Sequence, residues 1–393
     1  MQNPYSVIII GGGPSGLSTA LHLQQIAPHL TTSILILEKA RYPRFKLCAG
    51  GLVIDAEVLL ARLGLDVSEV PHADAHKIRF DFEGRGLNFR MRKRHALRVI
   101  RRDEFDNWLA GKTKSRGLEI REGIAVRNII PDKDSVMIET NEETFRAQVV
   151  VGADGSNGIT RRCIFPNASV YTARLLEVLT PAYYQNPSGT SSKSNGFGGG
   201  REGVAYFDFL PVPNNIAGYV WDFPTQVKGQ PMRCWGIYDT NILANANRPQ
   251  LKEPLAQEMS RLGLNLDDYE LKGYPIRWFS PEHQMSVPRV LLVGDAAGAD
   301  PLFGEGISIA LGYGSLAAHE IIDAFQRSDF SLNGYRYRAL RSALGWALLA
   351  RWAIAYIIYP LKWKWFQILI WRFLKPIVLF IANVFVVNWG KRL

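Results

Sequence analysis

Val7-Ile8-Ile9-Ile10 runs directly into Gly11-Gly12-Gly13-Pro14-Ser15-Gly16, and a second apolar run, Ile34-Leu35-Ile36-Leu37, closes on Glu38. This spacing suits a pyrophosphate cradle. Gly11 permits the tight turn, Gly13 lets the backbone approach a phosphate, and Gly16 lets the following helix pack closely on the sheet. The helix N-terminus offers N–H groups and the positive end of a dipole to the phosphates. Glu38, at the end of the second strand, is placed to accept a hydrogen bond from a ribose hydroxyl. The competing reading is a Gly-rich turn with no ligand, and the motif alone does not separate FAD from NAD(P).

The cradle needs a sheet to hold it. The β-branched opening run reads as a strand buried on both faces. Beyond it the pattern predicts a helix over Ile54–Arg62, strands within 76–100, and a helix near Arg102–Lys114 with Asp103 as N-cap. Strands follow across Leu118–Val151, then a Gly/Ser-rich loop at Ser188–Gly200, more strands over 203–240 and a helix over 249–263. Val290–Val293 reads as a short buried strand and Ile307–Phe325 as a long helix. This order predicts an α/β fold: a discontinuous Rossmann-like nucleotide domain, an inserted mostly-β substrate domain and a C-terminal helical tail. The expected boundaries are 1–75, 101–170 and 281–330 for the nucleotide domain, 76–100 and 171–280 for the substrate domain, and 331–393 for the tail.

At 393 residues the chain has room for two or three domains. Cys48, Cys163 and Cys234 are odd in number and far apart, which suggests neither a disulfide framework nor a zinc site. With a polar N-terminus and no secretory signal, a cytoplasmic protein is expected. The net charge of +10 is confined to one region: residues 331–393 hold ten Lys/Arg and no acid, and the 36 basic residues before them match the chain's 36 acids. That distribution argues against a nucleic-acid-binding body. Six of the ten tryptophans also lie in the tail, at 346, 352, 363, 365, 371 and 389. Ala343–Leu361 is a 19-residue apolar run with one charge, Arg351, which is borderline for a membrane span. Interleaved Trp and Lys at 362–365 is the composition of an interfacial segment. The expectation is peripheral attachment to a membrane through a helix pair; core or dimer packing and a true span are the alternatives.

Two later segments decide the nucleotide. Val149-Val150-Val151-Gly152-Ala153-Asp154-Gly155-Ser156 and Val290-Leu291-Leu292-Val293-Gly294-Asp295-Ala296-Ala297 are apolar strands that end in Gly/Asp turns, and the second continues to Pro301 and Gly304-Glu305-Gly306-Ile307. Together with the opening motif they resemble the flavoprotein hydroxylase superfamily, which implies FAD. In isolation Asp295 reads equally well as an ordinary turn acid. A narrower resemblance, to geranylgeranyl reductases, lies in Lys46-Leu47-Cys48-Ala49-Gly50-Gly51-Leu52 and in Gly218-Tyr219-Val220-Trp221-Asp222-Phe223-Pro224. It covers roughly residues 5–330.

The resemblance implies pyrophosphate and ribose contacts from Gly16 and Glu38, alongside Gly11, Gly13, Ser15 and Lys39, and a contact near the adenine from the Val126 backbone. Cys48, Ala49 and Gly51 would lie beside the isoalloxazine, and Arg102 would reach the cofactor. Asp295, Gly304, Gly306 and Ile307 would contact the ribityl chain and ring, with the helix N-terminus after Gly306 facing reduced flavin, and Asp154 is a further expected cofactor-binding residue. Tyr219, Trp221 and Phe223 would line the substrate cavity. Two departures stand out: Ala49 replaces a loop glycine, and Tyr238 replaces the second glycine of a Gly-x-Gly turn.

At period two, Tyr219, Trp221 and Phe223 share one face of a strand, as a cavity wall or as plain core. Cys48 reads first as an inert small hydrophobe. It and Tyr219 are weak candidates for a proton donor, and water is another. The implied activity is saturation of prenyl-lipid double bonds by hydride from reduced flavin. The alternatives are an aromatic or quinone-ring monooxygenase of the same fold and a non-enzymatic flavin-binding module. No second dinucleotide motif is visible, so the electron donor is expected to be transiently bound NAD(P)H or ferredoxin.

Overall fold

The computed structural model describes residues 5–91, 93–169, 171–182, 201, 203–243, 249–382 and 387–393. The loop expected at Ser188–Gly200 lies outside them. The opening strand, Tyr5–Ile10, is parallel to Ile34–Glu38 on one side and to Thr144–Gly152 on the other. Glu119–Glu122 extends the sheet beyond Ile34–Glu38, and Val290–Leu292 extends it beyond Thr144–Gly152, both in parallel. Ser286–Val287 and the antiparallel pair Val126–Pro131 and Val136–Thr140 bring it to eight strands. Val7 and Ile9 face a core shared with the helices Pro14–Ile26 and Ile307–Arg327, whereas Ile8 and Ile10 face Ile129, Val136 and Ile138. Burial on both faces explains the unbroken β-branched run.

The second sheet has seven strands in the order Lys272–Arg277, Thr172–Pro181, Gln230–Asp239, Gly218–Val227, Val204–Asp208, Lys77–Phe82 and Arg85–Arg90. Tyr219, Trp221, Phe223 and Tyr238 turn to one face, while Val220, Trp235 and Ile237 turn to the other and pack on the helix Lys252–Ser260. That helix is shorter than the 249–263 expected. A three-stranded sheet of Gly51–Leu52, Leu97–Ile100 and His72–Ala75 completes the strands.

The helix Ile54–Arg62 has the predicted bounds. The next, Arg102–Ser115, is capped by Arg101 in extended conformation, and Asp103 lies inside its first turn rather than at the N-cap. Its acid still favours the positive helix end there.

The tail folds onto the body. Tyr335–Arg341 leads to Ala343–Ile358, whose N-cap Ser342 accepts a hydrogen bond from the Gly345 N–H at 3.1 Å. Lys364–Ile368, a π-helical turn at Leu369–Phe373 and Lys375–Ile381 follow. Leu344, Leu348 and Trp389 are buried in the helical core. The Trp389 indole lies over Gly312 of the long helix, where a Cβ would come within 2.8 Å of it. Buried Asp55 latches the chain end by accepting from the Gly390 N–H at 2.7 Å and the Asn388 N–H at 3.0 Å. The tail is therefore no free helix pair: one face is core. Among the described residues, no helix is long and apolar enough to cross a membrane.

Candidate functional site

A cavity of about 700 Å³ runs between the two large sheets and under the tail. Gly11, Gly13, Ser15, Glu38 and Lys39 line one end, with Ile124, Ala125 and Val126 beside them. Phe80, Phe207, Tyr219, Trp221, Phe223, Tyr238 and Trp371 line the other. Between them lie Cys48, Ala49, Gly51, Arg102, Asp154, Asp295, Gly304, Gly306 and Ile307. Of the residues singled out in the sequence, only Gly16 stands back from the wall. A Cβ on it would lie 2.0 Å from the Gly11 carbonyl oxygen, so its role is close packing of helix on strand.

The cradle is built by the backbone. Gly11 has φ of +109°, and its N–H donates to the Leu37 carbonyl at 2.8 Å. A Cβ there would meet the Ala153 carbonyl at 2.4 Å. Gly13 is the N-cap of its helix with no side-chain partner, which leaves first-turn N–H groups for an anion. Gly12, to which the sequence pattern gave no task, is equally constrained, since the Tyr42 hydroxyl donates to its carbonyl and occupies the place of a Cβ. Glu38 accepts from the Gly12 N–H at 2.8 Å and the Ala40 N–H at 2.9 Å. A carboxylate has about four acceptor sites, so capacity for a ribose hydroxyl remains. Gly16→Val is expected to leave the purified protein without its yellow chromophore, read as the loss of flavin absorbance relative to protein.

Cations surround this end. Arg102 is buried and gives Asp106 two hydrogen bonds, at 2.8 and 2.9 Å. Burial opposes its charge, but Asp106 outweighs that and holds the guanidinium protonated. Arg44 bridges Glu38 at 3.5 Å and Asp106 at 3.1 Å, and Lys46 Nζ sits 3.4 Å from the centre of the Tyr274 ring. Burial lowers the Lys46 amine to about 8. Arg44 was not singled out from the sequence, and Lys46 entered only as the first residue of the segment 46–52. The i,i+4 spacing of Arg102 and Asp106 was the one local signal for that pair. Free anionic acceptors are few and cations many at this end, so the residues present fit an anionic dinucleotide.

Cys48 Sγ accepts from the Gly50 N–H at 3.4 Å, and burial pushes its thiol up, so it stays protonated. The Tyr219 hydroxyl donates to the Phe303 carbonyl at 2.5 Å, and burial raises its pKa well above the usual range. Trp221 lies opposite Gly236 on the neighbouring strand, where a Cβ would come within 2.1 Å of the indole. Tyr238 pairs with Tyr219 and packs on Gly304, narrowing the aromatic end.

The helix Ile307–Arg327 does aim its N-terminus at the cavity, but not with wholly free N–H groups. Glu305 accepts from the Ser308 N–H at 2.8 Å and from its hydroxyl at 2.6 Å. The tail supplies the counter-charge: Arg351 Nη1 lies 3.5 Å from Glu305 and 3.4 Å from Asp300. All three line the cavity.

A profile of the FAD binding domain family matches residues 4–230, more than half of the chain. The chain belongs to the FAD binding domain family. It is an FAD-dependent oxidoreductase. It is 27% identical over 350 residues to a digeranylgeranylglycerophospholipid reductase of Methanosarcina acetivorans, covering 84% of this chain and 78% of that one. A tryptophan 2-halogenase of Chondromyces crocatus is 22% identical over 373 residues, with 88% and 68% covered. Among solved structures, a geranylgeranyl bacteriochlorophyll reductase-like protein of Thermoplasma acidophilum superposes with a TM-score of 0.75 at 20% identity, covering 99% of this chain and 98% of its own. That likeness extends to the tail and establishes the fold: a Rossmann-like FAD-binding domain interrupted by a mostly-β domain and followed by helices. Among the described residues, no group of three or more His, Cys, Asp or Glu is placed to hold a metal ion.

Proposed function

We propose that this member of the family saturates carbon–carbon double bonds of a prenyl lipid. The observation that carries the reading is the continuity of the cavity. One opening joins the Gly11–Gly13 cradle to a wall of Phe80, Phe207, Tyr219, Trp221 and Phe223, so a long apolar chain can lie against a bound flavin. The names of the Methanosarcina and Thermoplasma relatives point the same way. Bound FAD, once reduced, supplies the hydride. In this reading the first-turn N–H groups after Gly13 hold the pyrophosphate, Glu38 the ribose and Asp295 the ribityl chain. The Cys48–Gly51 loop flanks the ring, and the aromatic wall excludes water and orients the alkene. In this reading the nucleotide domain takes 1–75, 101–170 and 281–330, the substrate domain 76–100 and 171–280, and the tail 331–393.

The membrane is the proposed source of substrate, with the outer face of the tail resting on it. NAD(P)H or ferredoxin is proposed as electron donor. Cells with and without the chain should differ in lipid mass by two hydrogens per reduced bond. Oxygen-dependent consumption of NADPH with a hydroxylated ring product, and no saturated lipid under anaerobic conditions, would replace this reading with the monooxygenase one.

A further inference from the structure

We propose that Asp300 donates the proton that completes alkene saturation. The inference rests on the prenyl-reductase reading and supplies the residue it lacks. Five carboxylates line the cavity among the described residues: Glu38, Asp154, Asp295, Asp300 and Glu305. Glu38 is held by two N–H groups, Asp295 by the Ser156 hydroxyl at 3.3 Å, and Glu305 by Ser308. Asp154 Oδ2 accepts from the Thr160 N–H and hydroxyl, and its Oδ1 has no partner among the described residues, but Asp154 lies beside Gly11 of the cradle. Asp300 alone stands at the aromatic end with an oxygen to spare. Its Oδ1 accepts from the Leu302 N–H at 2.7 Å, while Oδ2 lies 3.4 Å from Arg351 Nη1 and accepts no hydrogen bond.

The other hydroxyls nearby are committed. Tyr219 donates to the Phe303 carbonyl, Tyr238 to that of Pro301 at 3.3 Å and Tyr359 to that of Leu302 at 2.6 Å. These bonds hold residues 301–303 in place and leave those phenols with no proton to offer. Two acids face one guanidinium here, so the cluster is electrically neutral when it retains one proton. Of the two, Glu305 accepts two hydrogen bonds from Ser308, whereas Asp300 has the oxygen that accepts none. Burial pushes the Asp300 carboxyl up against the opposing pull of Arg351 and the Leu302 N–H, and Glu305 raises it further.

Asp300 gives its carboxyl proton to one alkene carbon as hydride from the reduced flavin reaches the other. The carboxyl O–H bond, the N–H bond of the reduced flavin that carries the hydride and the C=C π bond break, and two C–H bonds form. The flavin is oxidised by two electrons, and the carboxylate left behind is held by Arg351 until water reprotonates it.

The test uses the full FAD-loaded chain, reduced beforehand with dithionite and mixed with a geranylgeranyl lipid. Asp300→Asn should bind FAD with unchanged stoichiometry but undergo flavin reoxidation by the lipid about 10²–10⁴-fold more slowly, the usual worth of a general acid. Asp300→Glu should recover part of the rate. Independently of turnover, the infrared spectrum of the wild type at neutral pH should contain a protonated-carboxyl band that Asp300→Asn lacks. Equal reoxidation rates, or no band lost, would overturn the assignment. A lost band in a protein whose wild type saturates no prenyl lipid would sink the prenyl reading, and the donor role with it. If Asp300→Asn does not fold, the wild-type rate must fall as pH rises through ionisation of this acid, among the facing groups Arg351, Glu305, Tyr219, Tyr238 and Tyr359. A flat profile over the folded range overturns it.

Discussion

Arg351→Met is expected to destabilise the protein by about 3–5 kcal/mol near neutral pH, the usual loss when one partner of a buried ion pair is removed. Arg351 is only 2% exposed, and its guanidinium is shared between Asp300, which is fully buried, and Glu305. Methionine can replace the apolar stem but not the charge, and the two acids then face each other with no guanidinium between them. Burial already pushes the Asp300 carboxyl up, and with the opposing pull of Arg351 gone its pKa in the folded state rises further above the unfolded value. A raised carboxyl pKa gives stability that is present at low pH and lost as pH rises through it. The deficit of the variant should therefore be smallest in acid and grow toward alkaline pH. Denaturant midpoints measured across pH on the FAD-loaded protein check both parts. A midpoint equal to that of the wild type at high pH would mean that the pair contributes nothing to stability.

Nothing in the sequence points to the partners of Arg351. Within Ala343–Leu361 it is the one charge in an apolar run, and local pattern offers membrane span, surface helix or core with equal ease. Its partners lie 46 and 51 positions earlier, in a turn whose own pattern suggests only a flavin contact. The Gly-rich cradle, by contrast, was legible because each of its parts is local: strand, turn, helix and acid fall within 35 residues, and steric limits dictate glycine at 11 and 16. The aromatic strand was half legible. Period two puts Tyr219, Trp221 and Phe223 on one face, but both faces of that strand are buried, so alternation alone does not tell cavity from core. The cavity side is set by Gly236 and Tyr238 on the neighbouring strand. Arg44, Gly12 and Tyr42 meet only after the loop following Glu38 folds back over the cradle, and no local period announces that. The misplaced N-cap at Asp103 has a similar cause: Arg102 is drawn into the helix by Asp106 one turn on.

The tail divides its tryptophans in a way composition does not reveal. Trp371 and Trp389 are buried, while Trp363 and Trp365 are more than half exposed, together with Phe373 and Phe380. Lys362, Arg372 and Lys375 accompany the exposed set in the sequence, and Lys364 is matched by Glu83 at 2.6 Å. Exposed aromatic side chains of this kind are a feature of docking faces, and under the proposed membrane reading their mixture with cations suits an anionic bilayer. Burying one large apolar side chain contributes about 1.5–3 kcal/mol, and each nearby cation about 1 kcal/mol with anionic lipid. The fourfold variant Trp363→Gln, Trp365→Gln, Phe373→Gln, Phe380→Gln is therefore expected to lose at least about 10²-fold in binding to phosphatidylserine-containing vesicles, since 1.4 kcal/mol is tenfold. Its unfolding midpoint should be little changed, because more than half of each altered residue is already in water. Cutting the chain near Phe330 is not an equivalent test: it would strip Leu344, Leu348 and Trp389 from the core and leave Asp55 without its backbone partners. Vesicle sedimentation of the full-length variant decides the matter. Binding equal to that of the wild type would show that this face does not dock on lipid, and binding lost only at high salt would assign the attraction to the cations rather than the rings.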